Sequence, residues 1–350
     1  MSLNRRQFLS ASLGSLSLLT SLYFTASAQN ASLIKPRKLK PGSGVGLVSP
    51  AGKTYITEQI DIVQDAIKAL GLVPYLGNHV LDQYGYFAGK DRDRADDINQ
   101  FFADPKIDLL LPIRGGWGCA RILPYLDYNV IRNNPKIIVG FSDITVLLMA
   151  IYTKSGLVTF HGPNGFSSWR PKQVNSFKQA LFTEQKISFQ NERDTDDNNR
   201  LMQVKNRIKT INSGTARGKI IGGNLSVLSA IIGSPYVPDF RGHILFIEDV
   251  GEDIYRIDRM MTHLKIAGIL DKISGFIFGQ CTKCLPSGGY ASLTLEQVIN
   301  DHIKPLEIPA WMGAQIGHIE PILTFPMGVE VEINANTGTI NYLESGVING

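Results

Sequence analysis

The chain has 350 residues and a formal net charge of +4, from 35 Lys and Arg against 31 Asp and Glu. So small a surplus gives no basis for binding nucleic acid or an anionic membrane surface. Three cysteines (Cys119, Cys281 and Cys284) are too few for a disulfide-built scaffold, so the fold must rest on an apolar core.

The first residues read as an address. Asn4 to Leu9 resembles a twin-arginine export signal, although Asn4 and Ser10 depart from its usual flanks. A modestly apolar stretch from Ala11 to Phe24 follows, then Ala26-Ser27-Ala28, a small-x-small cleavage pattern. The stretch is short for a membrane span of about 20 apolar residues, so an uncleaved anchor is the lesser alternative. No later segment is long and apolar enough to cross a membrane. Residues 1–28 hold Arg5 and Arg6 and no acid, so cleavage takes the charge from +4 to +2. The mature chain, roughly 320 residues and long enough for two domains, is then expected outside the cytoplasm, most naturally the periplasm.

From Gly44 the pattern is α/β. Residues 44–49 form a short apolar strand ended by Pro50-Ala51-Gly52. Residues 58–70 carry apolar positions at helical spacing (Ile60, Val63, Ile67) and stop at Gly71. A second strand covers residues 72–76. Residues 91–102 predict an amphipathic helix that exposes Arg92, Asp93 and Arg94 and buries Ala95, Ile98 and Phe102. Residues 107–113, 137–141 and 157–160 are apolar runs without alternation, as in strands covered on both faces. Strands alternating with helices predict a doubly wound parallel sheet for an N-terminal domain over residues 29–168.

After Trp169 the composition changes, and residues 169–214 read as a connecting segment. Within it, residues 190–199 are charged and nearly free of apolar side chains, as in a linker or exposed loop. A smaller mixed α/β domain is expected over residues 215–350, opening with Gly222-Gly223-Asn224. Its strands are predicted at 244–248, 273–279 and 329–333, its helix at 254–267, and a hairpin turns at 334–338.

Ser142 lies in Gly140-Phe141-Ser142-Asp143, between an apolar strand and a helical run. There its hydroxyl can face the carboxyl edge of the sheet, where open α/β sheets bind ligands, with helix-opening N–H groups beside it. The same Ser could simply cap the helix. Arg114-Gly115-Gly116-Trp117-Gly118 ends the preceding strand at that edge, either as a ligand-approaching loop or as a plain βα turn. It matches neither phosphate-loop pattern. A nucleophilic hydroxyl needs a base, and the base needs an orienting acid. His161 and His318 are the rival bases, whereas His79, His243, His263 and His302 read as surface or packing residues. Glu248 closes the apolar run 244–247, a costly place for an unpaired carboxylate, with Asp249, Glu252 and Asp253 as alternatives. Cys281-Thr282-Lys283-Cys284 lacks the partners of a zinc site and reads as a strand-end pair or a labile disulfide.

These segments together resemble the LD-carboxypeptidases, a family that includes the microcin C self-immunity peptidases. The likeness is carried by 138–143, by 114–118 with Arg121-Ile122-Leu123-Pro124, by Gly222-Gly223-Asn224-Leu225, by Phe246-Ile247-Glu248-Asp249 and by Gly317-His318. Phe87-Ala88-Gly89 and Phe160-His161-Gly162-Pro163 fit as well. The resemblance runs from about Gly44 to Ile340. It implies a metal-free and cofactor-free serine peptidase with Ser142 as nucleophile, His318 as base and Glu248 as orienting acid. The N–H of Asp143 and one from Gly115 or Gly116 are the implied oxyanion donors, with Arg114, Trp117, Arg121 and Asn224 on the substrate side. Trp117 stands where Tyr is common, and Asn164 where Met often follows Gly-Pro, so specificity is the property in question. The implied substrate is a murein tetrapeptide stem losing its terminal D-alanine, with a homodimer as the family expectation. The rivals are a hydrolase of peptidyl or aminoacyl nucleotides and, from another class, a non-catalytic periplasmic binding protein.

Overall fold

The computed structural model describes residues 33–286 and 291–350, so the expected export signal at residues 1–28 lies outside the described residues. Residues 32–350 form one compact unit. Two sheets organise it. Their strands, in chain order, are β1 (Gly44–Val48), β2 (Val73–Leu76), β3 (Leu109–Pro112), β4 (Ile137–Gly140), β5 (Thr159–His161), β6 (Ser188–Phe189) and β7 (Lys209–Asn212). β8 (Thr215–Asn224), β9 (Ile244–Val250), β10 (Gly275–Thr282), β11 (Ala310–Met312), β12 (Phe325–Met327), β13 (Glu330–Asn334) and β14 (Thr339–Tyr342) follow.

The first sheet has the order β12-β5-β4-β3-β1-β2. Its first five strands in sequence run parallel, and the chain winds outward from β1 in one direction and from β3 in the other. That reversal creates a switch point at the carboxyl edge, where neighbouring loops diverge and leave a crevice. β1, β3 and β4 are fully buried apolar runs, because helices cover both faces. The second sheet has the order β6-β14-β13-β8-β9-β10-β11-β7. β8 to β11 are parallel, whereas β6, β7, β13 and β14 pair antiparallel. The fold is thus α/β with a mixed second sheet, and the expected hairpin is β13–β14.

Two expectations are corrected. Residues 169–214 are not a mere connector: they hold the helix Pro171–Phe182, and β6 and β7 join the second sheet. In return, β12 crosses into the first sheet, antiparallel to β5. Arg94, expected on the exposed face of the helix Asp91–Ala103, is 1% exposed. Its guanidinium is used internally, bonding the Pro50 and Gly118 carbonyls and Asp91 and lying 4.9 Å over the Phe87 ring. Among the described residues no helix is long and apolar enough to cross a membrane.

Candidate active site

Four strand ends meet at the carboxyl edge of the first sheet. Gly52 follows β1, the glycine-rich turn 114–118 follows β3, Ser142 follows β4, and His161 closes β5. Ser142 opens a short 3₁₀ turn that leads into the helix Thr145–Ser155. Its φ is +63°, a left-handed conformation that costs a side-chain-bearing residue about 1–2 kcal/mol. Such a turn lifts a hydroxyl off the end of a strand. Gly115 leaves room for it: a Cβ there would stand 3.2 Å from Ser142 Oγ. Gly116, with φ +125°, packs against Gly52, whose N–H donates to the Gly115 carbonyl at 3.3 Å.

The second sheet supplies a histidine–carboxylate pair. Glu248 sits in β9 with a fully buried side chain, and its Oε2 lies 2.7 Å from His318 Nδ1. Its Oε1 is buried with no hydrogen-bond partner among the described residues. A carboxylate with that single partner gains most when the imidazole carries charge. Gly317 is required for the approach: at φ +127° a Cβ would come 2.8 Å from Glu248 Oε2. The His318 loop is tied to β10, because Gln280 N–H donates to Ile316 O (2.8 Å) and Thr282 Oγ1 to His318 O (3.1 Å). The imidazole stands 5.0 Å, centroid to centroid, from the ring of Phe141, the residue before Ser142. The Phe141 ring thus links the Ser142 turn to the His318 loop, although Oγ and the imidazole are not hydrogen-bonded to each other here.

The two sheets are locked together beside this site. Asn224 N–H donates to Thr145 Oγ1 (3.1 Å), and a Cβ on Gly223 would come 2.5 Å from that side chain. The Gly222-Gly223-Asn224 motif thus serves docking. Asn224 is not free for substrate, contrary to the sequence expectation. Its Oδ1 caps the helix Leu225–Ile231 and its Nδ2 donates to Asp249 at 3.1 Å. Asp249 faces away from His318, held by Ser226 and Asn224; burial pushes its pKa up to about 6, with neighbouring Glu248 adding to the shift.

His161 is 2% exposed and stacked 4.8 Å from Phe325. Burial, and then the charge of His318, pull its pKa down to about 3, so at neutral pH it is an uncharged packing group. Asp143 turns its carboxylate inward to accept the Cys119 N–H at 2.8 Å, and burial raises its pKa. Arg114 Nη1 donates to Lys53 O at 3.2 Å. Arg121 is held by Asp91 through Nε (3.0 Å) and Nη2 (2.8 Å), so part of its charge is already matched. Exposed Trp117 lines a cavity of about 520 Å³ with Tyr86, Phe87, Gly118, Ala120 and Arg121. Cys281 and Cys284 form a disulfide. Among the described residues, His79, Asp82 and Asp93 have ligand atoms within 4.8 Å of one another, and no residue of the Ser142 site belongs to that group. Sequence reasoning missed Thr145, Gln280 and Thr282, whose roles rest on nonlocal hydrogen bonds.

Comparison with known proteins gives one direction. Residues 45–162 match the LD-carboxypeptidase N-terminal domain and residues 217–333 its C-terminal domain. A Bacillus subtilis protein named probable murein peptide carboxypeptidase is 36% identical over 321 residues, covering 90% of this chain and 96% of that one. A solved structure of MccF in complex with glutamyl sulfamoyl guanosine superposes with a TM-score of 0.80 at 28% identity, covering 90% of this chain and 99% of that one. A muramoyltetrapeptide carboxypeptidase from Oxalobacter formigenes superposes with a TM-score of 0.73 at 25% identity, covering 88% and 100%.

Proposed function

This chain belongs to the LD-carboxypeptidase family of serine peptidases, and from that premise we propose that it removes the terminal D-alanine from murein tetrapeptide stems. The observation that carries the reading is the buried Glu248–His318 pair, 2.7 Å apart, beside a serine in left-handed backbone at a sheet edge. His318 takes the Ser142 proton as Oγ attacks the peptide carbonyl. The N–H groups of Asp143 and of Gly115 or Gly116 hold the oxyanion, and Glu248 stabilises the imidazolium. The C–N bond breaks as His318 protonates the leaving amine, and water then hydrolyses the acyl ester with His318 again as base. Arg114, beside the glycine-rich turn, is the cation for the free carboxylate of the leaving D-alanine.

Mass spectrometry of digested muropeptides tests this. Tetrapeptides should lose one alanine, an all-L analogue should be untouched, and pentapeptides ending in D-alanyl-D-alanine should be poor substrates. Efficient cleavage of either control would overturn the substrate class. The second reading, hydrolysis of an aminoacyl nucleotide, is favoured by the aromatic cavity at Tyr86, Phe87 and Trp117, which suits a base, and by the ligand of the MccF structure. Turnover of an aminoacyl nucleotide in place of tetrapeptide would establish it.

The protein works outside the cytoplasm, after twin-arginine export and removal of residues 1–28. The Cys281–Cys284 disulfide supports that location, since such bonds persist in oxidising compartments. Cell fractionation and N-terminal sequencing test it, with a cytoplasmic, full-length product as the contrary result.

A further inference from the structure

Asn164 is a side chain for which the preceding chemistry has no use. It follows β5 in Gly162-Pro163-Asn164 and is 4% exposed, yet it sits on a loop rather than in the core. Its backbone is fixed: the two residues after it donate to β3 and its extension, Gly165 N–H to Pro112 O and Phe166 N–H to Ile113 O, both at 2.8 Å. Its side-chain oxygen accepts the Phe141 N–H at 3.3 Å. Because that partner is a donor, the atom facing it must be oxygen, and the amide orientation is thereby fixed. The Nδ2 group must then point the other way, and there it donates to no group among the described residues. Nδ2 is not among the fully buried atoms left without a partner, so it reaches the crevice at the sheet edge, where a bound group can accept from it.

What lies on that side is the space left by the missing side chain of Gly115. The point where a Gly115 Cβ would stand is 3.2 Å from Ser142 Oγ and 3.6 Å from Asn164 Nδ2. One small volume is therefore bordered by the attacking oxygen and by an idle N–H donor, on the same side as the backbone of the glycine-rich turn. An oxygen bound to the carbon that Oγ attacks falls in this region.

We infer that Asn164 is a catalytic residue whose Nδ2 donates to the oxyanion of the tetrahedral intermediate, as a side-chain donor alongside the backbone N–H groups. This rests on the reading of Ser142 as nucleophile. Asn164 couples two tasks: Oδ1 holds the backbone that presents Ser142, and Nδ2 meets the charge that Ser142 creates.

Two variants separate those tasks. Asn164→Ala removes both, whereas Asn164→Asp keeps an oxygen for the Phe141 N–H and removes the donor. With tetrapeptide muropeptide as substrate, kcat of Asn164→Ala should fall about 10²- to 10³-fold, the usual effect of losing one oxyanion donor, with KM changed far less. Asn164→Asp should keep the wild-type thermal midpoint and lose at least as much kcat. The rate of Ser142 labelling by a fluorophosphonate, whose phosphoryl oxygen occupies the same hole, should fall in parallel and needs no knowledge of the natural substrate. The inference is overturned if Asn164→Ala stays within about threefold of wild type, or if Asn164→Asp keeps wild-type kcat, which would leave Asn164 as an anchor for Phe141 only. Ser142→Ala, assayed alongside, keeps the two readings apart. An active Ser142→Ala sinks the nucleophile assignment, while an inactive one with active Asn164 variants sinks only this inference.

Discussion

At Ser142, conformation and chemistry make opposite demands. The φ of +63° suits glycine, yet on the proposed mechanism the position must carry a hydroxyl. Ser142→Ala should keep the fold and lose roughly 10⁴- to 10⁶-fold in kcat, the cost of removing a triad member. Ser142→Gly should be equally inactive but more stable than Ser142→Ala by about 1 kcal/mol, because glycine meets no Cβ penalty there. Equal unfolding midpoints for the two variants would mean the left-handed turn carries no strain. His161 yields a second test. Above pH 6.5 neither the folded nor the unfolded chain binds a proton at this residue, so it contributes nothing to the pH dependence. Below 6.5 the unfolded chain takes a proton that the buried ring refuses until about pH 3, so stability falls on acidification by about 1.4 kcal/mol per pH unit. Asp249 has the opposite slope between its ordinary value and about 6, so the comparison must be made against a variant rather than on wild type alone. His161→Phe, which suits the cluster of Phe141, Phe246 and Phe325, should gain about 2 kcal/mol on wild type between pH 7 and pH 5 in urea unfolding. A pH-independent difference would contradict a neutral buried His161.

At the scale of elements, the site depends on how β8 meets the helix Thr145–Ser155. Gly223 has φ +139° and no room for a Cβ against Thr145, so Gly223→Ala must push the end of β8 away from the helix that presents Ser142. The variant should lose about 1–3 kcal/mol of stability and at least tenfold in kcat/KM. Thr145→Ala in the same chain should restore part of both, since the Cγ2 and Oγ1 it removes are the atoms at 2.5 Å. Strictly additive effects would show that the two residues do not meet. The buried strands β1, β3 and β4 and the helices Thr57–Ala69 and Ile254–Ile266 were legible in the sequence, because unbroken apolar runs and helical spacing are local signals. The helix Pro171–Phe182 was not. Its buried Phe177, Ala180 and Leu181 are scattered among Lys, Gln, Asn and Ser, and the composition alone resembles a loop. β6, β7 and β12 span two to four residues and owe their existence to partners far away in the chain. In the site, Ser142, Glu248 and His318 stood out through their motifs. The burial of Arg94 and the place of Asn164 did not, because each is decided by hydrogen bonds to distant backbone.

At the scale of the molecule, the strand exchange decides whether the two halves are separate folding units. β12, from near the C-terminus, completes the first sheet, while β6 and β7, from the segment between the halves, cap the two edges of the second. His161 in β5 and Phe246 in β9 pack on Phe325 of β12, so one aromatic cluster draws on both sheets. Each sheet thus takes strands from outside its own half, and the shared aromatic cluster buries apolar surface of both together. Ser142 follows a strand of one sheet, while Glu248 lies in the other and His318 on a loop tied to it, so on the proposed mechanism catalytic geometry exists only while both are docked. Unfolding should therefore be one cooperative transition over residues 32–350, with loss of turnover and loss of tryptophan fluorescence at the same midpoint. A chain split within residues 190–199 should yield two fragments that are unfolded singly and regain activity only on mixing. Two resolved unfolding steps, or a first fragment that folds alone without β12, would show that the sheets are independent domains and that strand exchange is incidental to stability.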